Sequence, residues 1–452
     1  MRLSFYGATG TVTGSKYHFD DGSAATLIDC GLFQGFKQLR LRNWQPLPFD
    51  VKSLRSVVLT HAHIDHSGAL PLLVKSGFAG KIYCSKATKD LCAIMLPDAA
   101  HLQEEEARYA NKRGFSKHKP ALPLFTTEDA ERTLRLLHAV EFDETVRLSD
   151  ASTARFLPAG HILGAAMIMI ESAGKRVLFS GDLGRPNDPV MRPPTIVENA
   201  DILVLESTYG NRRHSGADPE AELGAHLARA LGRGGVVIIP AFAVGRAQTL
   251  LHLLARLKSR GLLTGIPIYL NSPMAVDATR IYHAYRSQHR LSVEECTAAC
   301  QVAEFVNTPE DSKKLNEKPG PMIIVAASGM ATGGRVVHHL KAFAPDPKNL
   351  ILFSGFQSGG TRGAAMVDGA ETVRIHGQEI PVRAEVTNLE TLSAHADYAE
   401  IIDWLKSFRE PPRATYLTHG EPQAADQMRQ HIEQTLKWDC TLPDYRETVT
   451  IA

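Results

Sequence analysis

The sequence predicts a mixed α/β protein of two domains, one of them interrupted by the other, on three observations. Between Glu206 and about residue 379, near-continuous apolar strands alternate with helices, the pattern of a parallel sheet buried on both faces. Before Glu206 the apolar runs are short, β-rich and punctuated by Gly and Asp turns. From about residue 380 the chain again carries runs that lead to histidines, as the early ones do. The expected division is therefore 1–207 together with 380–452, around an inserted segment at 208–379. A chain of 452 residues exceeds one ordinary core, which agrees with two domains.

Taken in order, Gly7-Ala8-Thr9-Gly10-Thr11-Val12-Thr13-Gly14 has a GxxGxxxG spacing, one residue off the dinucleotide fingerprint. β-type residues follow it, so it reads as a β-hairpin. Ala87–Arg113 is charged and weakly periodic, as surface helices are, and Glu128–Val140 reads as a further helix. The inserted segment opens with the strand Gly235–Pro240 and its helix Arg246–Ser259. Ile266–Leu270 then precedes a helix at Met274–Ser287, and Met322–Ala326 precedes one starting near Gly334. Leu350–Phe353 is the next strand, and strand character returns over Thr372–Val386. The chain closes with a helix at Tyr398–Phe408, a strand leading into His419 and a helix from Ala424.

Composition narrows the class. The chain is 44% hydrophobic and 22% charged, and no apolar run is long enough to span a bilayer. The N-terminus has no signal-peptide apolar core, so a cytoplasmic protein without membrane contact is expected. The six cysteines include no complete metal-binding spacing and read as reduced thiols. A net charge of +1 means that any polyanionic partner must meet local rather than global positive charge.

Five apolar runs each lead into metal-ligand residues. Val57–Thr60 leads into His61-Ala62-His63-Ile64-Asp65-His66. Asp29, His161, Asp182 and His419 follow the other four. Alternation along a strand end lets His61 and His63 face one way, while Asp65 and His66 turn over the next helix, giving two ligand pairs. Imidazole and carboxylate suit zinc and its first-row neighbours. Asp182 has two oxygens and can bridge two cations, and two such cations suit in-line attack on a phosphate ester. Asp29 is either a turn residue or a carboxylate that orients a ligand histidine.

In this order the residues resemble the metallo-β-lactamase superfamily, and more closely its β-CASP nuclease branch. Asp29 in Ile-Asp-Cys-Gly-Leu-Phe-Gln-Gly matches the first motif, His61, His63, Asp65 and His66 the second, His161 the third and Asp182 the fourth. Glu206 in Leu-Glu-Ser-Thr-Tyr-Gly, His395 in Ser-Ala-His-Ala-Asp and His419 in Thr-His-Gly-Glu match the motifs of the β-CASP part. The resemblance implies a metallo-β-lactamase αββα sandwich with an inserted α/β β-CASP domain, two Zn2+ (Mn2+ being the other candidate) and phosphodiester hydrolysis. It implies His61, His63, His161 and Asp182 for one metal, and Asp65, His66, Asp182 and His419 for the other. It makes His395 the general acid, with Glu206 holding it protonated. Histidine rather than valine in the last motif implies RNA over DNA.

Three loops of the insertion are candidate RNA contacts. Ser328-Gly329-Met330-Ala331-Thr332-Gly333-Gly334-Arg335 opens a helix, so its amides and Arg335 are placed to receive a phosphate. Phe242 can stack a base, Arg246 can meet a phosphate, and Ser272 lies in a third such loop. The cluster Lys37, Arg40 and Arg42 reads as a solvated face, with guidance of RNA to the nearby site the second reading. The expected activity is a ribonuclease on single-stranded RNA, endonucleolytic with 5′-exonuclease action open, as a monomer or homodimer. The rivals are a small-molecule hydrolase for thioesters or lactams and a non-catalytic RNA-binding scaffold.

Overall fold

The computed structural model describes residues 1–114 and 116–451. These form two units: Met1–Asp188 with Arg192–Arg213 and His395–Ala452, and Pro189–Met191 with His214–Ala394.

The first unit is built on two seven-stranded sheets. One runs Thr448–Thr450, Arg2–Phe5, Tyr17–Asp20, Ala25–Ile28, Leu54–Val58, Lys81–Ser85, Leu137–Val140, antiparallel at first and parallel from Ala25–Ile28 onward. The other runs Cys440–Thr441, Ala414–Thr418, Ile202–Glu206, Lys175–Phe179, Ala166–Ser172, Ser152–Pro158, Thr145–Arg147. Phe5, Tyr17, Phe19 and Val58 of the first sheet share one buried cluster with Phe156, Ile168, Phe179 and Val204 of the second, so the sheets pack face to face. The helix Lys86–Arg113 packs on strands of the first sheet and Pro422–Leu436 on strands of the second. That is the expected αββα sandwich. The first and last parts of the chain join in both sheets, since Thr448–Thr450 pairs with Arg2–Phe5 and Ala414–Thr418 with Ile202–Glu206. Gly7–Gly14 lies in the turn of the antiparallel pair Arg2–Phe5 and Tyr17–Asp20, a hairpin as read.

The second unit holds a six-stranded, wholly parallel sheet ordered Glu304–Phe305, Ile268–Asn271, Met322–Ala326, Val236–Pro240, Leu350–Phe353, Glu385–Asn388. The period of two explains its apolar strands. Val237, Ile239, Ile323 and Val325 enter one buried cluster, and their neighbours Val236, Ile238, Ile324 and Met322 enter another.

Two expectations change. Glu128–Val140 is a helix only over Thr127–Leu134. Leu137–Val140 is a strand paired with Ile82–Ser85, because sheet pairing overrides a short apolar run that fits either period. The return to the first unit falls at His395 rather than at residue 380. Glu385–Asn388 pairs in register with Leu350–Phe353 and keeps the chain in the second unit through Ala394.

Phe179 sits fully within the inter-sheet core, its ring 5.8 Å from that of Tyr17. Phe179→Ala should cost about 3–5 kcal/mol of stability in urea unfolding followed by circular dichroism, because the cavity lies between two paired sheets and cannot collapse.

Candidate metal centre

Apart from His395, which lies between the short turn Glu390–Leu392 and the helix Tyr398–Leu405, the candidate metal and acid-base residues sit at strand ends or the turns after them. Asp29 follows Ala25–Ile28, the HxHxDH segment follows Leu54–Val58, and Asp182 follows Lys175–Phe179. Glu206 ends Ile202–Glu206, and His419 follows Ala414–Thr418. Asp29 and His419 adopt left-handed backbone conformations, φ 58° and 50°, rare for residues with side chains and found where a site demands a direction. Close packing fixes the turn as well. A Cβ on Gly31 would lie 1.5 Å from the Asp65 carbonyl oxygen and 2.8 Å from the His66 amide, so only glycine lets Gly31 pass beneath these residues.

The structure brings the seven proposed ligands together as two groups. His61, His63, His161 and Asp182 have ligand atoms within 4.8 Å of one another, and so do Asp65, His66 and His419. Asp182 faces both. Its Oδ2 is 3.4 Å from His61 Nε2 and 3.5 Å from His161 Nε2, and its Oδ1 is 3.3 Å from His66 Nε2. His63 Nδ1 lies 3.2 Å from the Nε2 atoms of both His61 and His161. His66 Nε2 lies 3.1 Å from His419 Nε2, which is 3.3 Å from Asp65 Oδ2. Atoms bound ~2.1 Å from a common tetrahedral ion are ~3.4 Å apart, so this spacing fits shared cations. The donor set, imidazole nitrogens and carboxylate oxygens, fits zinc-like ions. Burial alone would raise the Asp182 carboxyl, but His419, His66 and His61 around it hold it well below the usual carboxylate range.

Behind the ligands lie two buried carboxylates. Asp29 accepts the Thr60 amide on Oδ1 at 2.7 Å, and the Thr60 hydroxyl and His66 Nδ1 on Oδ2 at 2.8 and 2.7 Å. The Thr60 hydroxyl also lies 3.1 Å from His61 Nδ1. Asp29 therefore holds His66 directly and His61 through Thr60. Glu206 accepts the Leu183 amide at 2.5 Å and the Thr208 hydroxyl at 2.6 Å, and its oxygens lie 3.2 and 3.1 Å from His395 Nδ1. Burial would lower the His395 pKa, but Glu206, then Asp182 and Asp65, raise it above the ordinary histidine value. The His395 ring lies 4.4 Å from that of His161 and retains some exposure. Glu206 also groups with Asp182 and His419 as a third potential donor set. Sequence reading missed Thr60 and Thr208. Each adjoins a motif residue, but a threonine hydroxyl carries no spacing signature.

In the second unit, the three candidate loops leave the carboxyl ends of adjacent parallel strands, Ile268–Asn271, Met322–Ala326 and Val236–Pro240, the edge at which such sheets bind ligands. The Phe242 ring lies against the backbone of Gly329, where a Cβ would meet it at 2.6 Å. Arg246 is buried, Ser272 caps the helix Pro273–Ala284, and Met330 is buried. The Ser328 hydroxyl accepts the Thr332 and Gly333 amides. Arg335 is not presented as an open cation. Its guanidinium donates to Asn271 Oδ1 at 2.7 Å and to the carbonyls of Val306 and Asn307 at 2.7 and 2.6 Å, which fastens the helix start to the neighbouring strand.

Gly31→Ala should cost roughly 1–3 kcal/mol, the scale of an overpacked core, and lower the metal content of purified protein because Asp65 and His66 must shift. Calorimetry and elemental analysis of the variant check both.

Three domain descriptions match the chain: Metallo-beta-lactamase superfamily over residues 14–230, Beta-Casp domain over 247–366, and Zn-dependent metallo-hydrolase RNA specificity domain over 379–443. A protein named as a ribonuclease in Thermus thermophilus is 38% identical over 93% of both chains. An RNase J-like protein of Methanocaldococcus jannaschii is 29% identical over 98% of this chain and 97% of its own. Integrator complex subunit 11 of Danio rerio is 28% identical over 95% of this chain and 70% of its own. A solved protein of unknown function from Enterococcus faecalis V583 shares the fold, with TM-score 0.56 at 14% identity over 100% of this chain and 99% of that one.

Proposed function

The chain belongs to the β-CASP branch of the metallo-β-lactamase superfamily, and on that premise we propose that it is a zinc-dependent ribonuclease cutting single-stranded RNA with two metal ions. The observation that carries the two-ion reading is Asp182, whose two oxygens face two separate histidine groups. His61, His63, His161 and Asp182 would hold one ion, and Asp65, His66, Asp182 and His419 the other, with manganese the alternative metal. Bound there, the pair supplies an activated nucleophile and neutralises charge building on the phosphate.

The remaining work falls to the chain itself. Asp29 orients His66 directly and His61 through Thr60. His395 donates a proton to the leaving 3′ oxygen, and Glu206, 3.1 Å from its Nδ1, keeps the imidazole charged. Phe242 and the loop Ser328–Gly333 offer a stacking face and polar groups to a single strand. Arg335 serves that surface by holding the loop's helix in place. The relatives' ribonuclease names favour RNA over a thioester or lactam substrate. Every ligand residue is present, which disfavours a non-catalytic scaffold.

Purified protein should shorten 5′-labelled and 3′-labelled single-stranded RNA and stop when chelated, while duplex RNA stays intact. Cleavage of thioesters or lactams alone would refute the reading. Asp182→Ala should lose most of both metals by elemental analysis, and His419→Ala should keep about one of the two.

His395→Ala should keep its metals and lose ~10²–10⁴-fold in kcat, with partial rescue by a substrate bearing a better leaving group. The sign of the pH dependence follows from the raised histidine. The acid form is present below its folded pKa, so kcat falls as pH rises through a value above 6.5. Glu206→Gln should move that alkaline limb to lower pH.

A further inference from the structure

We propose that Thr208 is a positioning residue that turns His419 toward the metal centre and ties it, through Glu206, to the proton donor His395. The inference rests on the ribonuclease reading above.

The Thr208 hydroxyl oxygen is 2.6 Å from Glu206 Oε2. Two oxygens that close need a hydrogen between them, and Glu206 stands as the acceptor, since it already takes the Leu183 amide and faces His395 Nδ1. The hydroxyl must therefore donate to Glu206. A hydroxyl has one hydrogen, so toward His419 Nδ1, at 3.0 Å, it can only accept. The His419 carbonyl at 3.1 Å is the longer of the hydroxyl's two acceptors, and Asp182 Oδ1, 3.6 Å from His419 Nδ1, is beyond hydrogen-bond reach. His419 thus carries its proton on Nδ1, and its Nε2 presents a lone pair.

That lone pair has a counterpart. With its Nδ1 hydrogen-bonded to Asp29, His66 in the neutral form that a ligand requires would likewise present a lone pair on Nε2, 3.1 Å from His419 Nε2. Two nitrogen lone pairs facing at this distance repel unless a cation lies between them. The hydroxyl thereby selects the tautomer in which His419 can serve as a ligand.

The molecule contains an internal precedent. Asp29 takes a backbone amide on one oxygen, a threonine hydroxyl and a histidine Nδ1 on the other, and the same threonine meets a second histidine. Glu206 repeats the set with the Leu183 amide, Thr208, His395 and His419. In the second bracket the directly held histidine is His395, the proton donor, and the one held through threonine is the ligand. His419, Thr208, Glu206 and His395 form one continuous chain.

Three measurements test this. Long-range proton–nitrogen NMR on the zinc-loaded wild-type protein reads the His419 tautomer without any substitution. Zinc titration of the apo-protein reads the affinity of each equivalent. Steady-state kinetics on single-stranded RNA separates kcat from KM. We expect Nδ1-protonated His419 in the wild type. Thr208→Val should weaken one of the two zinc equivalents by about 10–100-fold and lower kcat at unchanged KM, as losing a ligand's orienting partner does. Thr208→Ser, which retains the hydroxyl, should restore both to within about threefold. A wild-type His419 protonated on Nε2, wild-type zinc affinity in Thr208→Val, or failure of serine to rescue would each overturn the proposal. Wild-type protein that binds two zinc ions with the expected tautomer yet leaves RNA intact would instead overturn the ribonuclease reading.

Discussion

The centre depends on a repulsion that the fold holds in check. Imidazole nitrogens and carboxylate oxygens from four parts of the chain face one another at 3.1–3.5 Å in a buried site. Without cations such a cluster would push itself apart or take up protons. The sandwich resists this in two ways. Its candidate ligands follow strand ends of two sheets locked by a shared core, and two buried carboxylates, Asp29 and Glu206, stand behind them. Asp29 and Glu206 accept backbone amides as well as side-chain donors, so each is held fixed while it directs the histidines in front of it.

Backbone conformation is part of that restraint. Asp29 and His419 stand at positive φ, each immediately after a strand, and the turn there points the side chain across the site instead of along the strand. Gly31 lies against the Asp65–His66 peptide with no room for a methyl group. These local costs are borne by Leu27, Ile28, Val57 and Val58, all fully buried in the strands that lead into the site. The second unit uses the same economy with different means, since Arg335 and the Ser328 hydroxyl consume polar groups that would otherwise be open at the ends of its parallel strands.

Much of this was legible in the residues. Apolar runs of β-type residues located most of the sheet strands, and the seven candidate ligands, which the fold brings together, stood out by type and by their place at the ends of those runs. Near-continuous apolar strands alternating with helices made the parallel sheet readable from the sequence pattern. Three things were not readable. Leu137–Val140 fits either period, and only its pairing with Ile82–Ser85 makes it a strand. Glu385–Asn388 carries little apolar character, so its membership of the second unit's sheet depends on the register with Leu350–Phe353. Thr60, Thr208 and the inward bonds of Arg335 depend on directions of single side chains, which no spacing rule encodes.

The account turns on whether two ions share Asp182 within an all-nitrogen-and-oxygen shell. X-ray absorption at the zinc edge of the loaded protein tests that directly. The account predicts nitrogen and oxygen ligands at ~2.0–2.1 Å with imidazole scattering, and a metal–metal vector at ~3.5–4 Å. Sulfur ligation, or one isolated ion at full loading with no metal–metal vector, would contradict it.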